Sequence, residues 1–311
     1  MSNLKKVAIS VGDLNGIGIE LILRNHKEVS KIVEPLYSID KKMLKRASKK
    51  LGLSIPKNFH ISSPNSKIFK IKAGKVSKKS GAYSFGSFHH AIDLAKQNSV
   101  DAICTLPIHK KAWERAGVTY KGHTDALRDI FDSEAIMMLG CPQMYVALYT
   151  EHIPLKSVAS QIEVERLEKF FCDFYHTAKP TSTVAVLGLN PHAGDSGVLG
   201  DEEIAISRAI ARAHKRLKLK TPIFTEPMVP DIAFTPHIRE RYSYYIAMYH
   251  DQGLTPLKAL HFDESINVSL NLPILRTSVD HGTAFDIAYS KYKPNSTSYI
   301  NAIRYIESAL G

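Results

Sequence analysis

Sulfur chemistry has little to work with in this sequence. Its 311 residues include only 3 cysteines. They are Cys104, Cys141 and Cys172, widely spaced and without a Cys-x-x-Cys pair. That argues against a disulfide framework or a cysteine-rich zinc module and predicts reduced thiols in a cytoplasmic protein. Long hydrophobic runs are also missing: none approaches the ~18 residues of a membrane-spanning helix. The first apolar stretch, residues 7–11, is too short for a secretion signal and has no small-residue cleavage site after it. Several short signatures are absent. There is no Walker phosphate loop and no Gly-x-Ser-x-Gly nucleophile turn. The opening Gly12-Asp13-Leu14-Asn15-Gly16-Ile17-Gly18 is a strand-to-helix turn but not a Gly-x-Gly-x-x-Gly dinucleotide fingerprint. Asp40 is the one acidic residue near the place of that motif's ribose-binding carboxylate.

With 44% hydrophobic residues, the chain can bury a substantial core in one large α/β domain or two smaller ones. The formal net charge is +11, but it is not evenly spread. Residues 1–80 hold 18 Lys and Arg against 5 Asp and Glu, while the rest hold 23 against 25. The excess lies in Lys41, Lys42, Lys45, Lys49, Lys50 and the lysines from Lys67 to Lys79. No aromatics are interleaved to stack bases, so a solvated basic face is expected rather than a nucleic-acid surface.

Apolar runs of strand length alternate with helical patterns. Strands are expected at 7–11, 36–39, 101–106, 136–139, 144–150, 183–189, 245–249 and 266–270. Helices are expected at 19–32, 41–51, 83–97, 164–178, 201–217 and 295–310. This alternation predicts a mostly parallel or mixed sheet covered by helices. Residues 67–80 look the most loop-like.

His152, His192 and His250 each follow the carboxyl end of an expected strand. In open α/β sheets ligands bind at that edge, so loops from separate strands could bring the three imidazoles to one divalent metal. Asp251, next to His250, reads as a turn residue or as a carboxylate supporting the imidazole. A second group suits an anion. Gly122-His123-Thr124 stands at an expected helix start, with Thr124 as a possible cap, where free N–H groups favour negative charge. Lys258, Asn267 and Arg276 follow at equal spacing, Arg276 just after a strand ending at 272–275. A cation, an amide and a guanidinium together would suit a phosphate or carboxylate.

These segments resemble the 4-hydroxythreonine-4-phosphate dehydrogenase family. The resemblance rests on Gly12-Asp13…Gly16-Ile17-Gly18, Gly122-His123-Thr124, the Gly-Leu-Asn-Pro-His-Ala-Gly of 188–194, the Met-Tyr-His-Asp-Gln-Gly of 248–253 and the Arg-Thr-Ser-Val-Asp-His-Gly-Thr-Ala of 276–284. They occur in order over nearly the whole chain. The last resembles a loop of the wider isocitrate and isopropylmalate dehydrogenase group that meets the adenosine end of the nicotinamide cofactor. Two positions depart from the pattern: Leu14-Asn15 stands where many members have Pro-Ala, and Tyr289 where the wider group usually has Gly.

The resemblance implies two α/β/α domains with the active cleft between them, residues 1–120 with 255–311 and residues 121–254. It implies metal ligands at His152, His192 and His250, shared across a homodimer. It implies substrate contacts at His123, Thr124, Lys258, Asn267 and Arg276, and cofactor contacts at His281, Gly282 and Thr283. The cofactors would be a divalent metal (Zn, Mg or Co) and NAD or NADP. The reaction would be oxidation of 4-hydroxythreonine 4-phosphate followed by loss of carbon dioxide, on the route to pyridoxal phosphate. Lys110 and Asp231 are candidates for the general base. The rival readings are a sister dehydrogenase of threonate or erythronate phosphate and a metal-dependent phosphatase. No nucleic-acid or membrane partner is expected.

Overall fold

The computed structural model describes residues 4–311. Residue contacts divide them into two compact units, the first made of residues up to 133 with 266–268 and 272–311, the second of 134–265 with 269–271.

The first unit opens with β1 (Lys6–Ser10), α1 (Gly18–Ile32), β2 (Glu34–Ser38), α2 (Lys41–Leu51), β3 (Ile61–Ser62), α3 (Lys78–Lys96), β4 (Ala102–Thr105), α4 (Lys110–Ala116) and α5 (His123–Phe131). The second unit holds β5 (Ile136–Cys141), β6 (Met144–Leu148), α6 (Val164–Ala178), β7 (Val184–Val186), α7 (Glu202–Leu217), α8 (Pro230–Ala233), α9 (Pro236–Arg239), β8 (Tyr244–Ala247) and α10 (His250–His261). After β9 (Ile266–Leu270), whose residues are divided between the units, the chain completes the first with β10 (Leu275–Val279) and α11 (Thr297–Leu310).

Strands of the first unit run in the order β3-β2-β1-β4-β10, all parallel. Parallel strands covered by helices are buried on both faces, which is why β1 and β4 are continuous apolar runs rather than alternating ones. In the second unit β5 and β6 form an antiparallel pair, and β6, β8 and β7 lie parallel in that order. Each unit has its own core. One gathers Phe88, Ile92, Ile103, Trp113 and Leu127, the other Met137, Val146, Leu187, Tyr245 and Leu257. Helix α3 approaches α4 closely because Gly81 has no side chain: a Cβ there would lie 1.9 Å from the Ala112 carbonyl oxygen.

Three expectations need correction. The expected domain boundary at 254/255 would cut α10, which the structure keeps whole in the second unit. Arg276 lies inside β10 rather than after a strand. Pro273 cannot donate a ladder hydrogen bond, so pairing starts after it. Residues 78–80, assigned to the loop, begin α3, where Ser77 accepts from the Ser80 N–H at 3.1 Å.

Helix α2 turns Met43, Leu44 and Ala47 inward and exposes Lys41, Lys42, Lys45, Arg46, Lys49 and Lys50. The Lys41–Lys50 part of the basic stretch is therefore the solvated side of an amphipathic helix. Asp40, just before it, is engaged locally: its carboxylate accepts from the Tyr83 hydroxyl at 2.9 Å and from Ser63. Among the described residues no helix is long and apolar enough to cross a membrane.

The turn after β1 carries a buried carboxylate. Asp13 is fully buried, accepting from the Asn15 N–H at 2.9 Å and the Ser80 hydroxyl at 3.1 Å. Burial outweighs these bonds and raises its pKa to about 6. A carboxyl with a raised folded-state pKa contributes stability below its unfolded value, and this is lost as pH rises through the folded one. Asp13→Asn keeps an acceptor for the Asn15 N–H, turns its amide N–H toward the Ser80 hydroxyl as donor, and does not titrate. Its thermal midpoint relative to wild type will therefore climb between pH 4 and pH 7, by up to about 3 kcal/mol of stability. A constant difference across that range, in melting curves, would show that Asp13 does not titrate there.

Candidate active site

In the second unit, β6, β8 and β7 are parallel neighbours, so their carboxyl ends leave from one edge of the sheet. His152, His250 and His192 follow those ends. Two buried side chains, neither expected from the sequence, tie the loops together. The Thr150 hydroxyl donates to the Met248 carbonyl at 2.7 Å. Gln252 accepts from the Met248 N–H and donates to the Gly188 carbonyl, both at 2.7 Å.

The His152 and His250 rings lie 5.5 Å apart between centroids. Asp251 Oδ1 is 2.7 Å from His250 Nδ1, so Asp251 supports the imidazole besides sitting in the first turn of α10. A carboxylate on Nδ1 leaves Nε2 turned away from it, the arrangement a metal-ligating histidine uses. The donors thus fit a divalent transition metal. His192 does not join them in this chain: among the described residues no group of three His, Cys, Asp or Glu side chains could hold an ion.

His192 sits in an unusual backbone. His192, Ala193, Gly194, Asp195 and Ser196 all have positive φ, between 43° and 79°. Five such residues in a row make a left-handed turn, which costs roughly 1–2 kcal/mol for each residue carrying a Cβ. This segment looked like an ordinary Gly-containing loop in the sequence.

The first unit gathers an anion-binding group. Arg276 is 2% exposed. Its Nε and Nη2 donate to Thr105 Oγ1 at 3.2 and 2.7 Å, and its Nη1 reaches Asn267 Oδ1 at 3.4 Å. Neither partner carries charge, so neither cancels that of the guanidinium. Burial pulls Arg276 down to about 10, which still leaves it protonated at neutral pH. His123 opens α5, packed against Phe88 and edge-on to Trp113. Burial and then the Arg276 charge push its imidazole well below the usual histidine range. Its buried Nε2 has no hydrogen-bond partner among the described residues, so a neutral ring presents an unsatisfied nitrogen there. Thr124 lies buried in the first helical turn but is not the cap. Gly122 holds that position, and Asp125 brackets the helix start by accepting from the Lys121 N–H at 2.9 Å. Lys110, first residue of α4, lies beside this start: a Cβ on Gly122 would be 3.9 Å from its Cε. The other base candidate, Asp231, is exposed on α8 in the second unit. Lys258 also belongs to the second unit, half-buried on α10 with its Nζ 5.3 Å from the centre of the Phe262 ring.

The loop of His281, Gly282 and Thr283 follows β10 on the same strand edge as the turn after β1. The two join where the Ile17 N–H meets the Thr283 carbonyl at 3.1 Å. Gly16 permits this approach, since a Cβ there would lie 2.7 Å from that oxygen. The two departures from the family pattern prove to be connected here. Tyr289 has φ +59°, a conformation that suits glycine, yet its hydroxyl donates to the Leu14 carbonyl at 2.7 Å. Asn15 in turn accepts from the Lys72 N–H at 2.8 Å and donates to the Lys75 carbonyl at 2.6 Å.

The model of the family described as "Pyridoxal phosphate biosynthetic protein PdxA" matches residues 31–306. A 4-hydroxythreonine-4-phosphate dehydrogenase from Sulfurimonas denitrificans is 61% identical over 299 residues, covering 96% of both chains. One from Campylobacter fetus subsp. fetus is 51% identical over 304 residues, covering 97% of each. The chain belongs to the 4-hydroxythreonine-4-phosphate dehydrogenase family. A crystal structure of such an enzyme from Burkholderia phymatum superposes with a TM-score of 0.81 at 30% identity, covering 98% of each chain. The Gly-His-Thr segment that this chain shares with the family is thus the opening of α5, and its Asn-Pro-His-Ala-Gly segment runs into the left-handed turn.

Thr105 is the residue of the anion group that the sequence did not single out; it looked like the end of a buried strand. Thr105→Val preserves its shape but leaves two guanidinium N–H groups without this acceptor. A lost hydrogen bond to a charged group costs about 1.5–3 kcal/mol, and denaturant unfolding will show a loss of that order. Thr105→Ser will recover most of it. Equal losses in both variants would mean that packing, not the hydroxyl, is what matters.

Proposed function

We propose that the chain oxidises the secondary alcohol of 4-hydroxythreonine 4-phosphate and that the resulting β-keto acid loses carbon dioxide to give 3-amino-1-hydroxyacetone phosphate, in pyridoxal phosphate biosynthesis. Family membership over nearly the full length supports this reading. Within the structure the observation that carries it is the buried Arg276 guanidinium, held by neutral oxygens beside a neutral His123. A buried guanidinium set among neutral hydrogen-bond acceptors suits an anionic substrate.

Arg276, Asn267, His123, Thr124 and Lys258 hold the substrate's anionic and polar groups in this reading. His152, His192 and His250 hold a divalent metal, and His281, Gly282 and Thr283 meet the nicotinamide cofactor. Bound there, the metal would supply a Lewis acid and the nicotinamide a hydride acceptor. Lys110 takes the alcohol proton. What supports Lys110 is its place beside the start of α5, next to His123 and Thr124. Fixing the substrate by its phosphate places the reacting carbon and lowers the entropic cost of the step.

The site is completed by a second copy of the chain. Two features support this. His192 is not gathered with His152 and His250 in one chain. The segments after the histidines also expose large apolar side chains: Ile153 40%, Leu155 69%, Val198 78% and Leu199 45%, a pattern expected of a surface that another protein covers.

Stripping the divalent metal with a chelator will abolish cofactor reduction with 4-hydroxythreonine 4-phosphate, and adding back Zn, Mg or Co will restore it. Undiminished turnover in rigorously metal-free protein would refute the metal assignment. Faster turnover of threonate or erythronate phosphate would move the substrate to the sister class. For the shared site, His192→Ala and His250→Ala are each inactive alone, and mixing them under subunit exchange will restore part of the activity. Sedimentation of an active monomer at assay concentration would rule out sharing.

A further inference from the structure

We propose that Glu203 is the positioning residue that holds the left-handed turn in the conformation presenting His192. The inference rests on the reading of His192 as a metal ligand and adds a residue that touches neither metal nor substrate.

Five consecutive left-handed residues persist only where their surroundings over-determine them. Here a carboxylate anchors the chain just before them. Glu203, in the first turn of α7, accepts from the Leu189 and Asn190 N–H groups, both at 2.8 Å on Oε1. Its Oε2 accepts from Asn190 Nδ2 at 3.0 Å, and the same amide nitrogen donates to Glu202 Oε2 at 2.6 Å. The chain entering the turn is thus clamped from both its backbone and its side chain immediately before Pro191 and His192.

Three glycines make room for this clamp. A Cβ on Gly188 would lie 3.1 Å from Glu203 Oε1, one on Gly194 would lie 2.7 Å from Glu203 Oε2, and one on Gly200 would lie 2.2 Å from Asn190 Nδ2. The loop therefore wraps the carboxylate before, within and after the left-handed turn. Behind the turn, the Leu199 N–H closes back onto the Gly194 carbonyl at 3.0 Å. Gln252 ties Gly188 to the strand end that leads to His250. The placement of His192 relative to the other two loops accordingly passes through contacts that Glu203 organises.

Glu203→Ala removes all three hydrogen bonds. Glu203→Gln keeps a carbonyl oxygen for the two backbone N–H groups and serves as the conservative rescue. The probe is Co(II), titrated into metal-stripped full-length protein and followed by its absorption and by calorimetry, with His192→Ala alongside. Glu203→Ala will weaken Co(II) binding about tenfold or more, as loss of a supporting partner does, and Glu203→Gln will stay within about threefold of wild type. The melting temperature of each metal-free variant separates weakened binding from unfolding. Should Glu203→Ala not fold, Glu203→Met, which fills the same space without a carboxylate acceptor, carries the same expectation. If His192→Ala weakens binding while Glu203→Ala, or Glu203→Met in its place, does not, the proposal fails alone. If His192→Ala binds Co(II) like wild type, the ligand reading fails and the proposal with it.

Discussion

Parallel pairing of strands is the constraint on which the rest of this structure depends. Once β1, β4 and β10 run the same way, their carboxyl ends leave from one edge. The same holds for β6, β8 and β7 in the second unit. Buried strands cannot carry polar side chains without partners, so polar and titratable groups accumulate in the loops at these edges. In the second unit three histidine loops share one edge. In the first, the Gly12–Gly18 turn and the His281 loop share one.

The two units handle charge differently. In the first, Arg276, His123 and Asp13 are withdrawn from water and their protonation equilibria move accordingly. Desolvation is the leading cause in each case; at Asp13 the Asn15 N–H and the Ser80 hydroxyl oppose it, and at His123 the Arg276 charge adds to it. This is costly for stability and suits a site that must attract a highly charged ligand. The second unit keeps His250 and Asp251 partly or fully exposed and uses hydrogen bonds from buried neutral groups, Thr150 and Gln252, to set the loops. Its strain is in the backbone instead, concentrated where His192 is presented.

Glycines in this protein act mainly through the space they leave. Gly16 lets the Thr283 carbonyl approach, Gly81 lets α3 pack on α4, and Gly188, Gly194 and Gly200 enclose the Glu203–Asn190 pair. Tyr289 shows the converse: a bulky residue in a left-handed conformation, held by a hydrogen bond to Leu14. The acceptor is the backbone carbonyl of Leu14, so this contact depends on Tyr289 and not on the Leu14 side chain.

The sequence by itself determined the alternation of strands and helices. Periodicity of apolar residues reports which face of an element is buried, and it placed α2 and α6 at the residues observed. It also marked His152, His192 and His250, because a histidine after an apolar run is a local pattern, and Gly-His-Thr as a helix start. Tertiary structure decided what depends on partners distant in the chain. Thr105 reaches Arg276 across 171 positions and Tyr289 reaches Leu14 across 275, and no local pattern encodes such pairings. That Thr124 would not cap α5 and that residues 192–196 would wind left-handed were likewise not legible. Each follows from side-chain geometry and from the space around a glycine, and these exist only once the chain has closed on itself.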